Sequence, residues 1–362
     1  MKLITPAAKK KAGLISRRSL LVAAPAVILS SKLGDAQGCG GGFCYPPSAA
    51  STCMAPFYRD WSTYTQPVSL FDPTVSGFDA ANAFEVRAEN SVGGVTFAFT
   101  EDYNTTGAVT GAIGIWTSTN GILGPWSFAG NAIVTGGGGT WDQYNPTNPS
   151  CIYNPTAGLW YLYYSASNGS NQYSIGLATS STPTVAGSWT KYSGNPIISG
   201  SNNADPEVLI HPSGSGYIMY SCGNYPSTNG DYWYYTSSDG ITWTFGGQFL
   251  PAAVPGDPDY KVEYMIEPTV WKNKYCFYEA LFDIDDEIYA LGQGSGIQLY
   301  AISADGFNFT RYPVLVPTQI FGGGQTSIVQ QNGLLYIFTN MFPDFSNFNV
   351  LGSGMTIMVD TP

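Results

Sequence analysis

Charge and histidine are the scarcest features of this sequence. Only 11% of its 362 residues are Asp, Glu, Lys or Arg, and His211 is the single histidine. Because charged and straight-chain helix formers are so few, a helical bundle or a coiled coil is excluded. The lone histidine lies in a predicted turn and no CxxC pair exists, so we expect no zinc site and no cofactor.

Basic residues are unevenly distributed along the chain. Residues 1–37 carry seven of the 14 basic residues and one of the 25 acidic ones. The remainder therefore has seven basic against 24 acidic residues, a net charge of −17. Neutralising nucleic-acid phosphates requires clustered Lys or Arg, so a nucleic-acid partner is excluded.

The N-terminal segment has the pattern of an export signal. The letters SRRSLL at residues 16–21 lead into an apolar run at 20–29 that ends in small residues, and this pattern resembles a twin-arginine signal. The run is too short to span a bilayer, and no later run reaches about 18 apolar residues. We therefore predict a signal at residues 1–37 and a periplasmic or secreted monomer without membrane association. A lipoprotein anchored through Cys39 is the alternative, although the residues before it form a poor lipobox.

Cysteine use fits an oxidising compartment. Six cysteines in an exported chain allow up to three disulfides. Three of them could staple a Gly-rich leader at residues 38–64, namely Cys39, Cys44 and Cys53. The other three are spaced one per repeat and could form disulfides or remain buried thiols: Cys151, Cys222 and Cys276.

What the sequence has in abundance is glycine, proline and aromatic residues, arranged in a repeat. There are 43 Gly, 24 Pro, 9 Trp, 25 Tyr and 19 Phe, and units of about 55 to 65 residues recur five times. Each unit predicts four short strands, with a glycine turn after the first and a Ser or Thr ending the third. This pattern predicts an all-β, five-bladed β-propeller with four-stranded antiparallel blades at residues 65–362. Residues 67–71 would complete the last blade, and two stacked sandwiches are the alternative fold.

Polar residues recur where the first strand of each unit begins. In a propeller these strands surround the axis, so their starting residues converge on one mouth. Carboxylates crowded at such a mouth have pKa values pushed apart, which suits acid and base chemistry. The residues that align at this position are Glu85, Asn148, Asp205, Glu267 and Gln325.

Two motifs carry a family resemblance. Asp205-Pro206 and Ile266-Glu267-Pro268, together with the strand IGLATS at 175–180 and the letters GSWT at 187–190, resemble the five-bladed glycosidases of glycoside hydrolase family 43 and their relatives in families 62, 32 and 68. The resemblance implies inverting hydrolysis of an arabinan- or xylan-type polysaccharide. It implies that Glu267 is the general acid and Asp205 tunes its pKa.

The general base is where the sequence departs from the family pattern. The matching residue is Asn148, which cannot accept a proton usefully. We expect Asp142, just upstream, to replace it, with Glu85 as second choice. If neither reaches the site, the protein would be a non-catalytic carbohydrate-binding propeller.

Sugar binding is assigned to residues near these acids. Aromatic rings with a polar handle stack on sugar faces, and Trp141, Tyr144 and Tyr264 flank the candidate acids. We assign Asn148, Gln325 and Arg87 to polar contacts with the substrate.

Two further motifs have structural interpretations. The turns at 237–243 and 303–309 resemble the Asp-box turns of sialidases, and we expect Asp239 and Asp305 to brace them. A sialidase itself would need an arginine triad, which the three arginines after the signal do not supply. The acidic run at 283–287 could hold Ca²⁺, but it lacks the spacing of an EF-hand and favours a solvated loop.

Overall fold

The structure is a computed structural model that describes thirteen segments of the chain. They are residues 80–103, 111–122, 124–169, 172–200, 203–223, 231–251, 262–271, 274–283, 297–311, 316–317, 326–331, 334–341 and 352–358. All lie in the compact unit Pro47–Pro362. The predicted signal, the leader, the closing segment at 67–71 and Gln325 lie outside the described residues. The described part of the chain contains no helix long and apolar enough to cross a membrane.

The described residues form five antiparallel sheets that follow one another along the chain. Sheet I contains β1 (Ala80–Val92), β2 (Val95–Tyr103), β3 (Gly111–Ser118) and β4 (Ser127–Val134). Sheet II contains β5 (Tyr144–Asn154), β6 (Leu159–Ser167), β7 (Tyr173–Ser180) and β8 (Thr190–Lys191). Sheet III contains β9 (Ala204–Ile210), β10 (Tyr217–Gly223), β11 (Asp231–Ser237) and β12 (Thr244–Leu250). Sheet IV contains β13 (Val262–Trp271), β14 (Lys274–Asp283), β15 (Ile297–Ser303) and β16 (Thr310–Arg311), and β17 (Val316–Pro317) also pairs with β15. Sheet V contains β18 (Thr326–Gln331), β19 (Leu334–Met341) and β20 (Gly352–Met358).

The local sequence explains these strands. Short turns join the first and second strands of sheets I and II, and Gly158 takes a positive φ of 66° between β5 and β6, a conformation that glycine adopts without steric cost. The second strands are almost continuously apolar and aromatic, and β6 and β10 are buried on both faces. A strand reads this way when other sheets cover both of its faces. The prediction of an all-β fold with four-stranded antiparallel sheets is confirmed.

The first strands of the sheets lie against one another in a closed order. Strand β1 contacts β5, β5 contacts β9, β9 contacts β13, β13 contacts β18, and β18 contacts β1. The sheets therefore surround a common axis with their first strands innermost, as the blades of a propeller do. The residues at the starts of the first strands therefore lie at one end of that axis.

Aromatic layers fill the spaces between sheets. Between sheets I and II, Phe97 packs edge-on against Trp160 with ring centroids 5.1 Å apart, and Phe99 packs against Trp189 at 5.6 Å. Between sheets III and IV, the ring of Phe309 lies 5.8 Å from that of Tyr220. Such edge-to-face pairs contribute about 0.5–1.5 kcal/mol each beyond the area they bury. Most aromatic residues of the described sheets thus serve packing.

The two Asp-box turns connect neighbouring sheets, which confirms the structural role expected of their aspartates. In the second turn the Asp305 carboxylate accepts hydrogen bonds of 2.9 Å from the backbone N–H groups of Phe307 and Asn308. The glycine after each aspartate offers its carbonyl to the preceding sheet: Tyr163 Oη donates to Gly240 O at 2.7 Å, and Tyr220 Oη donates to Gly306 O at 2.8 Å.

These turns also perturb the aspartates electrostatically. Burial alone would raise the pKa of Asp305, but the Asn308 side-chain amide and the backbone N–H groups outweigh it and hold the pKa well below its usual range. Asp239 follows the same logic. Burial opposes the shift, and the backbone N–H groups of Thr242 and Ile241 lower its pKa.

Candidate active site

The first strands of sheets I, II and III each contain a β-bulge near their start. In sheet II, Thr147 pairs with Ser165 and Ser150 pairs with Tyr163. Two residues therefore lie between these pairs on β5, but only one lies between them on β6. In sheet III, Ala204 pairs with Cys222 and Glu207 with Tyr220, which is the same irregularity. A bulge of this kind re-aims a side chain and is common beside active sites.

Asn148 and Asp205 occupy the same place in these two bulges. Their φ angles are 50° and 57°, in the left-handed region that few residues other than glycine adopt, although Asn and Asp tolerate it best. Both side chains are buried, with 4% and 3% relative exposure. Strained backbone of this kind persists only where the surroundings fix it.

The two side chains are in direct contact. Asn148 Nδ2 donates to Asp205 Oδ1 at 2.9 Å. The backbone N–H of Asp205 donates to Ser165 Oγ at 2.9 Å, and Cys222 Sγ lies 3.9 Å from Asp205 Oδ2. Below this contact the N–H of Val208 donates to Ser150 Oγ at 3.0 Å. The sequence prediction that these two strand starts converge is therefore confirmed for sheets II and III.

The strand register changes which residues are equivalent. A serine ends the third strand of sheets I to IV and serves as a reference point for the register. In each sheet this serine pairs with a residue of the second strand, and the residue three positions further along the second strand defines a common position. The residues paired with that position are Glu85, Ser150, Glu207 and Glu267. The alignment of Glu85 and Glu267 with Asn148 and Asp205 is therefore wrong by two residues, because Glu85 and Glu267 share the register position of Ser150 and Glu207, which follow Asn148 and Asp205 by two. In sheet I the residue that matches Asn148 and Asp205 is Ala83.

Glu207 is a buried carboxylate that the sequence analysis missed. It is 5% exposed and lies two residues after Asp205 on β9. The signal for it was present, because it follows Asp205-Pro206 directly. Glu85, Arg87, Tyr264 and Glu267 lie on described strands, but their side chains fall outside the part of the structure that is described.

The carboxylate of Asp142 contacts a different set of residues. It is 4% exposed and forms an ion pair with Lys191 on β8, with Nζ 2.5 Å from Oδ2. Tyr164 Oη donates to the same oxygen at 3.3 Å, and Lys191 Nζ also donates to Val134 O on β4 at 2.8 Å. Val134 and Lys191 lie on the last strands of sheets I and II, whereas Tyr164 lies on β6, the second strand of sheet II. Asp142 therefore links the outer strand β8 to the second strand β6.

The aromatic neighbours of Asp142 divide between packing and exposure. The Trp141 ring packs 5.4 Å from that of Tyr164, and its edge lies over Gly176, where an added Cβ would be 2.4 Å away. Burial first, and then the charge of Asp142, raise the pKa of the Tyr164 phenol. The structure thus uses Trp141 in packing between strands. Tyr144 is 36% exposed and accepts a hydrogen bond from Gln143 Nε2 at 2.8 Å, so it remains available to a ligand.

The described residues contain two buried thiols and no cluster of metal-binding side chains. Cys151 and Cys222 are buried thiols outside any disulfide, which confirms the second alternative for these two residues. No group of three or more His, Cys, Asp or Glu that could hold a metal occurs among the described residues.

The segment that contains Asn148 and Asp205 is similar to known proteins. Residues 97–244, which include Asn148 and Asp205, match the family model described as glycosyl hydrolases family 43. Over 111 residues the chain is 36% identical to the arabinan endo-1,5-alpha-L-arabinosidase A of Aspergillus niger, covering 29% of this chain and 33% of that protein. A protein of the same species described as a probable enzyme of that name matches equally. The chain spans about a third of the length of these curated relatives.

Solved structures extend the likeness of the fold over most of the chain. An endo-arabinase from Bacteroides thetaiotaomicron has a TM-score of 0.59 and 16% identity, covering 82% of this chain and 97% of that one. A family 43 β-xylosidase/α-arabinofuranosidase from a compost metagenome, solved with xylotriose in a calcium-free form, has a TM-score of 0.60 and 16% identity, covering 81% and 95%. The chain therefore shares the propeller fold of family 43 enzymes.

Proposed function

We propose that the chain is a glycoside hydrolase that cleaves an arabinan- or xylan-type polysaccharide. The observation that carries the proposal is the buried contact between Asn148 and Asp205 at the innermost strands, within the segment that matches the family 43 model. The arabinanases and the xylosidase among the similar proteins support the substrate class. We propose five blades, in keeping with the closed order of the first strands.

The proposed mechanism is inverting and assigns a role to three carboxylates. Glu267 protonates the leaving oxygen, and the negative charge of Asp205 keeps that proton on Glu267 until it is needed. A base on the opposite face activates water, which requires carboxyl groups about 6.5–9.5 Å apart. Of the two candidates, Glu85 is preferred because it lies on the innermost strand β1, whereas Asp142 is held by Lys191 at the outer strands.

The test is activity of the mature protein on linear arabinan, arabinoxylan and aryl glycosides, with Glu267→Gln as the key variant. We expect this variant to lose about 10²- to 10⁴-fold in kcat, the range typical of a removed general acid. Glu279→Gln, the same chemical change on the adjacent strand β14, is the matched control and should retain activity.

The outcomes separate the hypotheses. NMR of the first product formed should show an inverted anomeric centre. If Glu267→Gln is as active as wild type, the assignment of the acid is wrong. If wild type binds the polysaccharides but cleaves none, the alternative from the sequence holds, and the protein is a non-catalytic carbohydrate-binding propeller.

We further propose that residues 1–37 direct export through the twin-arginine route and that the mature protein is a monomer of the periplasm or medium. The SRRSLL pattern and the apolar run behind it support this. N-terminal sequencing of the exported protein tests it, because a mature N-terminus far from residues 36–38 would contradict the proposed cleavage.

A further inference from the structure

The residue that departs from the family pattern makes a direct side-chain contact to Asp205. Asn148 holds the place where the resemblance implies a base, yet its amide nitrogen points at Asp205 Oδ1 from 2.9 Å. A neutral N–H donor stabilises a carboxylate in a buried position without adding charge. A carboxylate at residue 148 would instead bring two acids within about 3 Å, and such pairs cannot both ionise.

Three different strands fix the position of Asp205. Asn148 on β5 binds one carboxylate oxygen, Cys222 on β10 approaches the other, and Ser165 on β6 accepts the backbone N–H. The left-handed backbone of Asp205 leaves its N–H turned out of the regular ladder, which is why a side chain receives it. The side chain is therefore held in one orientation by contacts from two sheets.

We infer that Asn148 is a positioning residue that orients Asp205 and keeps it ionised in the assembled site, and that it is not a substrate-binding residue. The inference rests on the proposed function only where enzyme activity is measured. Asn148 acts through Asp205, so replacing Asn148 changes the charge state and the orientation of the Asp205 carboxylate.

Several titratable groups besides Asp205 lie on the strands around it, and the test must separate them. On β9 itself and on β5, β6, β7, β10 and β13 they are Glu207, Tyr144, Cys151, Tyr153, Tyr161, Tyr163, Tyr164, Tyr173, Tyr217, Tyr220, Cys222, Glu263, Tyr264 and Glu267. Phenols and thiols stay neutral below about pH 8. The carboxyl groups among them are common to wild type and variants, so a difference between the two reports on the residue changed.

The substitutions are chosen to preserve the backbone at residue 148. Asp and Gly both tolerate its left-handed conformation, so Asn148→Asp and Asn148→Gly change the contact without new strain. Asn145 offers a matched control, because it lies on the same strand with a φ of 45°. Asn145→Asp adds the same charge three residues away from the contact.

Two readouts are measured on all four proteins. The first is the pH profile of kcat/KM on linear arabinan. We expect the acidic limb to move up by at least about one pH unit in Asn148→Asp because the pair shares a proton, and kcat to fall about 10-fold with little change in KM in Asn148→Gly. The second is the urea midpoint between pH 4 and pH 8, which requires no activity.

The sign of the stability readout follows from the raised pKa of a shared proton. A carboxyl whose pKa is higher in the folded than in the unfolded state costs no stability below the unfolded value, and the cost grows as pH rises towards the folded value. Asn148→Asp should therefore match wild type near pH 4 and fall progressively below it by pH 7, and Asn145→Asp should show a smaller pH-dependent loss.

If the two Asp variants show the same pH dependence, the inference is overturned, whether or not the protein is active. If wild type cleaves nothing but the urea series still separates the two variants, the proposed function fails and the pairing of Asn148 with Asp205 stands.

Discussion

The ion pair between Asp142 and Lys191 predicts that Asp142 contributes to stability and not to catalysis. On sequence grounds Asp142 is the first candidate for the general base, whereas in the structure its carboxylate contacts Lys191 on the outer strand β8 and Tyr164 on β6. Lys191→Met removes the positive charge and leaves a carboxylate that is 4% exposed with the Tyr164 hydroxyl beside it. Asp142→Asn keeps the shape and removes the negative charge.

The magnitude follows from the unequal burial of the two partners. Breaking a fully buried pair costs about 3–5 kcal/mol, because one charge stays buried without its partner. Lys191 is 34% exposed, so solvent already screens part of the attraction, and we expect about 2–3 kcal/mol for Lys191→Met. Asp142→Asn should cost less, about 1–2 kcal/mol, because the remaining lysine can turn towards water. For a domain of this size these losses lower Tm by about 2–6 °C.

Urea unfolding of the two single variants and the double variant measures the pair directly. The double variant should lose less than the two single losses combined, since neither charge is then left alone. Thr190→Met, at the exposed neighbour on β8, controls for the added side chain. All of these variants should keep the wild-type kcat at a temperature where they are folded. An Asp142→Asn protein with an unchanged urea midpoint and no activity would refute the reasoning and restore Asp142 as the base.

Two other predictions test the links between sheets. Tyr220→Phe removes the buried hydrogen bond to the Gly306 carbonyl and should cost about 1–2 kcal/mol in urea unfolding, whereas Tyr234→Phe on β11 should change little; equal losses would contradict the assigned contact. Asp305→Asn should lower stability most at pH 5–8. The pKa of Asp305 is depressed in the folded state, so its contribution is present above the unfolded pKa of about 3.9 and declines as pH falls below it. A difference from wild type that stays constant from pH 3 to pH 7 would show that the carboxylate charge is not involved.

The parts of the fold that the sequence predicted are those with a local cause. Glycine turns, aromatic-rich second strands and a serine at the end of the third strand each depend on neighbouring residues, so the four-strand unit could be found by inspection. The Asp-box turns were predictable for the same reason, since Asp305 binds backbone groups two and three residues ahead.

The site was less predictable because strand register has no marker in the sequence. Register depends on pairing with the second strand, so an alignment by residue type matched Glu85 to Asn148, although Glu85 shares its register position with Ser150. Asp142 was harder to place for a different reason. Its nearness to Asn148 in sequence suggested a shared site, but its partner Lys191 lies 49 residues further along the chain.

The asparagine that counted against catalysis has a physical reason to be where it is. Asp205 and Glu207 are both buried on β9, two residues apart, with 3% and 5% exposure. A third carboxylate at residue 148 would add repulsion at the point where the first strands already concentrate acids, and one of the group would have to take up a proton at neutral pH. An amide supplies a donor to the carboxylate and adds no charge, so Asp205 can stay ionised. If Asp205 has to be negative for Glu267 to remain an acid, Asn148 is a requirement of the chemistry, and the base has to come from another strand.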